Sequence, residues 1–138
     1  MENKLNNISE LVKIDFDKRK NLLALQDLYN QKEHYTYEQL SDKIDEIAGI
    51  LTKLGIKKGD RCSIFSYNCP KWVIVDLAIQ KIGAVAVPIY WRASRKDIKF
   101  IVEKVKPKLI FVGDSFLNKL LLKSRKEPFK PFWLSELF

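Results

Sequence analysis

Residues 59–88 read GDRCSIFSYNCPKWVIVDLAIQKIGAVAVP and constrain the fold more than any other stretch. An apolar run over 62–66 predicts a strand, a helical segment opens near 68–70, and a second apolar run over 84–87 predicts another strand. Asn68 is suited to cap the helix start, Pro70 tolerates an early helical position, and Gly83 fits just past the helix end. Two strands joined through a helix run parallel, because a hairpin has no room for the crossover. A second crossover follows, with a helix over 96–106 leading to a strand over 109–112. Successive crossovers require a parallel sheet covered by helices. The fold class expected is therefore α/β, a partial doubly wound parallel sheet with flanking helices.

The flanking sequence supports that frame. Residues 36–39, TYEQ, match a capping box in which Thr36 caps and Gln39 answers, and Leu40, Ile44, Ile47, Ala48, Leu51 and Leu54 then trace one apolar stripe. Gly55 fits the position after that helix, and Gly59 with Asp60 turns the chain into the next strand. Upstream, 1–20 reads as a variable leader with Ile8, Leu11, Val12 and Phe16 at helical spacing, 21–28 as a short strand, and 29–33 as a polar connection. Trp72 is a packing residue of a helix that is apolar around much of its girth. Pro88 ends its strand by removing a ladder donor. Ser94 to Asp97 is a second, weaker capping box, and Ile98, Ile101, Val102 and Val105 form the buried side of the next helix, broadened by Phe100. Lys106 and Pro107 stop it.

The motifs GDRCSIFSYNCPKW and DLAIQKIGAVAVPIY, followed by a capped helix, resemble the amino-terminal region of the adenylate-forming family. That family contains acyl-CoA synthetases, luciferases and peptide-synthetase adenylation domains. The PIY ending after GAVAV, with Trp72 upstream, is most similar to the long-chain fatty-acyl-CoA ligase branch. The resemblance covers roughly residues 35–113. It implies a large-domain fold, ATP-dependent activation of a carboxylic acid, transfer to CoA, and ATP, Mg2+ and CoA as the cofactors of a complete member. The family's phosphate loop, its Tyr-Gly-x-Thr-Glu segment and its lid lysine are missing from these residues, so the resemblance assigns no catalytic, cofactor-binding or metal-binding residue here. It also makes the chain a truncated or fragmentary member, inactive alone. Two departures stand out: Lys71 occupies a commonly acidic position, and Trp91, Arg92 and Ala93 replace a small or polar turn.

The resemblance divides the chain into the leader 1–20, an α/β region 21–115 and a divergent tail 116–138. Phe116, Leu117, Leu120 and Leu121 can form a short amphipathic helix, 123–130 is basic, and Phe132, Trp133, Leu134, Leu137 and Phe138 end the chain. Three readings stand for this tail: docking on the body, association with a partner or a second copy, or the product of a broken reading frame. A small non-catalytic binding module and one half of a split ligase are the competing functional readings, the latter calling for a complementary ligase fragment.

A net charge of +8 raises the question of anionic partners. The lysines are spread along the chain without a zinc finger, an RGG tract or a paired aromatic RNA-binding motif, which argues against specific nucleic-acid binding. Peripheral membrane contact stays compatible with the charge. Cys62 and Cys69 lie six residues apart in a chain with one histidine, a poor metal or redox set. Cys62 reads as a small buried hydrophobe, and Cys69 sits where a helix terminus can lower a thiol's pKa, with no base beside it. His34 has no catalytic companions and reads as a surface or turn residue. Ser66, Tyr67 and Asn68 follow a strand's carboxyl end, where open parallel sheets bind ligands, although helix capping by Asn68 accounts for that residue equally. A cytoplasmic location is expected, because the first 17 residues lack a continuous hydrophobic core.

Overall fold

The computed structural model describes residues 8–123 and 131–138. The basic stretch 124–130, with Pro128, lies outside them. The elements in order are α1 (Ile8–Arg19), β1 (Leu23–Gln26), β2 (His34–Thr36), α2 (Tyr37–Lys53), β3 (Arg61–Phe65), α3 (Pro70–Lys81), β4 (Val85–Ile89), α4 (Arg95–Val105), β5 (Leu109–Val112), α5 (Ser115–Lys123) and β6 (Phe132–Trp133), with a 3-10 turn over Leu134–Leu137. β4, β3, β5 and β6 form one sheet in that order, parallel at every pairing. β1 and β2 make a separate antiparallel hairpin.

Strand alternation sorts the core into two layers. Cys62, Ile64 and Phe111 face one side and meet Ile44, Ile47 and Leu51 of α2 and Ile74, Val75, Ala78 and Ile79 of α3. Phe65, Ile89, Ile110 and Val112 face the other side and meet Ile98 and Val102 of α4 and Leu117 and Leu121 of α5. The sheet is buried on both faces, which is why its strands read as continuous apolar runs rather than alternating ones.

The α2 start is as expected: the Thr36 hydroxyl accepts the Gln39 N–H at 3.2 Å, and the Gln39 side chain accepts the Thr36 N–H at 2.9 Å. The residue capping α3 is Cys69, not Asn68, because Pro70 takes the first helical position and fixes the cap one residue before it. Pro88 does not end its strand. It pairs with Ile64 inside β4, which runs on to Ile89. The Val85 N–H donates to Asp60 O, so by alternation the Pro88 nitrogen faces away from β3, on an edge where no ladder donor is needed. Leu54 is 48% exposed, since it caps the C-terminus of α2 beyond the buried stripe, and Phe100 is 66% exposed, on the side of α4 opposite Ile98 and Val102. His34 lies exposed at the start of β2, a surface residue as the sequence suggested, on a strand that the sequence did not show.

The tail docks on the body. β6 pairs with β5, Leu134 and Leu137 are buried with the α2 and α3 core, and Phe132 meets Phe111 edge to face with ring centroids 5.7 Å apart. Phe138 lies under the ammonium groups of Lys43 and Lys71, at 5.8 and 5.4 Å from its centroid. Lys71 thus gains an aromatic partner where the resemblance expected an acidic residue.

Candidate functional site

From β3 the chain moves to β4 on one side through α3, then returns through α4 to β5 on the opposite side of β3. The winding reverses between β3 and β5, and the carboxyl ends of those strands are where an open parallel sheet offers a ligand crevice. Here that crevice is packed shut. The Gly113 N–H donates to Phe65 O at 3.0 Å, and a Cβ on Gly113 would sit 2.3 Å from Ser66 Oγ. Glycine is required at 113 by this close approach, not by its backbone angle. Ser66 is buried, whereas Tyr67 and Asn68 open outward.

Beside the crevice, loops after β3 and β4 bring aromatic rings together. Tyr67 and Trp91 have centroids 4.8 Å apart, Tyr90 and Trp91 6.0 Å, and the Arg92 guanidinium lies 4.3 Å from the Trp91 ring. The bulky turn noted in the sequence thus makes tilted ring contacts and a cation–π contact, with Trp91 half-buried and Tyr90 exposed.

The helix amino-termini at this end of the sheet are filled by the chain itself. Cys69 caps α3 without a side-chain hydrogen bond, its backbone carbonyl accepting the Trp72 N–H at 3.1 Å, and Pro70 has no N–H to offer. Ser94 Oγ accepts the Asp97 N–H at 3.2 Å and donates to the Asp97 carboxylate at 2.6 Å. Asp114 accepts the Leu117 N–H at 2.8 Å. A phosphate cradle needs free amides and no competing anion, so these ends do not fit a triphosphate, and the carboxylate of Asp114 opposes one. Gly55, Gly59 and Gly83 serve left-handed turns at the other end of the strands. No cluster of three or more His, Cys, Asp or Glu suited to a metal occurs among the described residues.

Cys62 is buried in the core as the sequence suggested, and Cys69 departs from the expectation. Burial pushes the Cys62 thiol up to about 11. Cys69 is also raised rather than lowered: burial outweighs the two helix N–H groups, and the Glu33 carboxylate adds to it. Burial, then Glu33, raise Tyr35 as well, and Glu33 Oε1 is buried with no hydrogen-bond partner. A surface hollow of about 330 Å³ lies beside Cys69, between the β1–β2 turn and the start of α3, and Glu33 and Tyr35 line another of about 350 Å³. β2 and the Glu33 carboxylate are the part of this region that sequence reasoning missed, since a three-residue strand is too short to show a period.

No helix among the described residues is long and apolar enough to cross a membrane.

The family model for AMP-binding enzyme matches residues 14–131, a wider span than the motifs alone suggested. The chain is 29% identical over 97 residues to a crotonobetaine/carnitine–CoA ligase of Salmonella arizonae, covering 70% of this chain and 19% of that protein. It is 33% identical over 81 residues to the human mitochondrial acyl-CoA synthetase short-chain family member 3, covering 59% of this chain and 12% of that protein. It therefore spans less than a fifth of these curated relatives' length. Among solved structures, the N-terminal domain of FACL13 from Mycobacterium tuberculosis superposes with a TM-score of 0.85 at 24% identity, covering 96% of this chain and 35% of that one. A Mycobacterium tuberculosis fatty acyl CoA synthetase superposes at 0.80 with 25% identity, covering 95% and 28%. The acids in these names differ, so the matches do not single out the long-chain branch suggested by the PIY ending. With the family match covering most of the chain and the sheet order on the same architecture, the chain belongs to the AMP-binding enzyme family.

Proposed function

We propose that the chain supplies the amino-terminal part of an acid–thiol ligase, in which a carboxylic acid is activated with ATP and passed to CoA, and that these 138 residues perform no adenylation by themselves. The observation that carries this reading is the state of the helix ends after β3, β4 and β5: Pro70 leaves the first without an amide, and Ser94 and Asp114 cap the other two. They hold no free amide cluster for a nucleotide, although the fold is that of the family. A complementary ligase segment is the partner this reading calls for. The acid is assigned to the long-chain fatty class on the Pro88-Ile89-Tyr90 ending and on the fatty acyl relatives of matching fold. The location is assigned to the cytoplasm.

ATP–pyrophosphate exchange with a panel of short, aromatic and long-chain acids tests it. The chain alone gives no acid-dependent exchange, and addition of a complementary segment restores exchange with long-chain acids. Robust exchange by the chain alone would sink the first part, and a preference for short acids the second.

A further inference from the structure

We propose that the outer face of α4 and α5 docks on an anionic lipid bilayer. The two helices are neighbours on one side of the sheet and bury Ile98, Val102, Leu117 and Leu121 inward. Their outward residues repeat one composition. On α4, Lys96, Phe100 and Lys104 stand four residues apart on one ridge. On α5, Phe116, Lys119, Leu122 and Lys123 share a face. Phe100, Phe116 and Leu122 are 66%, 60% and 46% exposed, so apolar groups project between exposed ammonium groups.

The charge is concentrated on this side. α4 and α5 together carry Arg95, Lys96, Lys99, Lys104, Lys119 and Lys123 against Asp97 and Glu103, a net +4. α2 and α3, across the sheet, carry Lys43, Lys53, Lys71 and Lys81 against Glu38, Asp42, Asp45, Glu46 and Asp76, a net −1. The two acids on the basic side are already engaged: Asp97 accepts from Ser94 and Glu103 pairs with Lys99 at 3.9 Å. Uncompensated lysines around protruding aromatic and aliphatic side chains match a surface that is anionic outside and apolar just beneath, which describes a leaflet containing acidic phospholipid. Nucleic acid would satisfy the charge but gives Leu122 nothing to enter. The β1–β2 hairpin also exposes Leu28 and Tyr29, but Asp27 binds the turn amides there, and no comparable lysine ring surrounds them.

Cosedimentation of the full chain with vesicles of phosphatidylcholine, with and without phosphatidylglycerol, is the test. Binding is expected only with the anionic lipid, weakening as salt rises. The double substitution K96A/K104A should lower affinity by about fivefold for each lysine removed, while K53A/K57A, away from the face, changes it little. F100S/F116S should lower binding to the same vesicles with the salt dependence kept. All six positions are solvent-facing, and circular dichroism verifies that each variant is folded. The proposal is overturned by an absence of binding to anionic vesicles, by equal losses in the two lysine pairs, or by full binding of F100S/F116S, the behaviour of a polyanion site such as one for nucleic acid.

Discussion

The two faces of the sheet solve the same burial problem with different resources. On the α2 and α3 side, sixteen buried residues form one cluster, closed over by α1, by the hairpin and by the 3-10 turn, and cross-helix pairs such as Lys81 with Asp45 lie on its surface. On the α4 and α5 side, eight buried residues form the cluster, and Phe100, Phe116 and Leu122 of those helices are exposed. The first face is a core enclosed by further layers. The second is a thinner layer, with lysines and phenylalanines exposed on its outer side.

The sharpest way to break this contrast is to cut equal side chains from each face. Leu51 and Leu121 are both fully buried, so the lost transfer term is the same and the difference comes from how far each site can collapse. Leu51→Ala is expected to cost about 3–5 kcal/mol, because α2 is held between α1 and α3, and Leu121→Ala about 2–3 kcal/mol, because a short edge helix can settle inward. Urea midpoints at constant slope measure both. A larger loss at Leu121 would show that the thin face carries the stability.

Gly113 lies at the seam between the faces. Gly113→Ala places a methyl group against Ser66 and is expected to cost about 1–3 kcal/mol. Adding Ser66→Gly in the same chain removes the nearest atoms and should return part of that loss. A harmless Gly113→Ala on its own would mean that the β3 and β5 ends can part, reopening the crevice as a ligand site.

Much of this architecture was legible because its signals are redundant. The crossover over 59–88 combines apolar runs, a proline at the helix start and a glycine past its end, and the Thr36 box combines two reciprocal residues; in both, local and global preferences agree. Where a single signal stood alone it misled. Asn68 is a good cap by residue type, but Pro70 at the first helical position outranks it, and that rule was available in the sequence. Phe100 is apolar, yet its angular position sets it opposite Ile98 and Val102. The tail was least legible, since β6 has two residues and no period. Leu134 and Leu137, three apart, do match one face of a 3-10 turn. For the site, strand-end logic found the region around Ser66, but its closure by Gly113 depends on a contact between residues 47 positions apart, which no local pattern encodes.

The capping residues give a smaller test of the same two faces. Thr36 on the enclosed side makes a reciprocal box, while Ser94 on the thin side bonds the Asp97 amide and carboxylate without the return bond to its own amide. Thr36→Ala is expected to cost about 1 kcal/mol and Ser94→Ala less, in thermal or urea melts. Equal losses would mean that the reciprocal bond adds nothing.

The smallest expected effect is a gain, and it comes from the acidic face. Asp76 on α3 is half-buried, and burial raises its carboxyl above the usual range, with the hydrogen bond from Gln80 Nε2 at 2.8 Å opposing the shift only partly. A carboxyl whose folded pKa lies above its unfolded value holds its proton more tightly in the folded state. Its contribution therefore favours folding at low pH, and stability is lost as pH rises through the folded pKa. Asp60 has the opposite sign: the Lys108 ammonium and the Lys57 N–H lower it, so its contribution is present above the unfolded value of about 4 and is lost on acidification. Asp76→Asn keeps the acceptor for Gln80 and removes the ionisation. At pH 7 it should melt slightly above the parent, and near pH 3, where the parent's Asp76 is itself protonated, the two should coincide. Asp60→Asn should melt below the parent at pH 7 and converge with it in acid. If Asp76→Asn instead melts lower at pH 7, the carboxylate stabilises the enclosed face through a partner stronger than Gln80, and its burial is not the dominant cost.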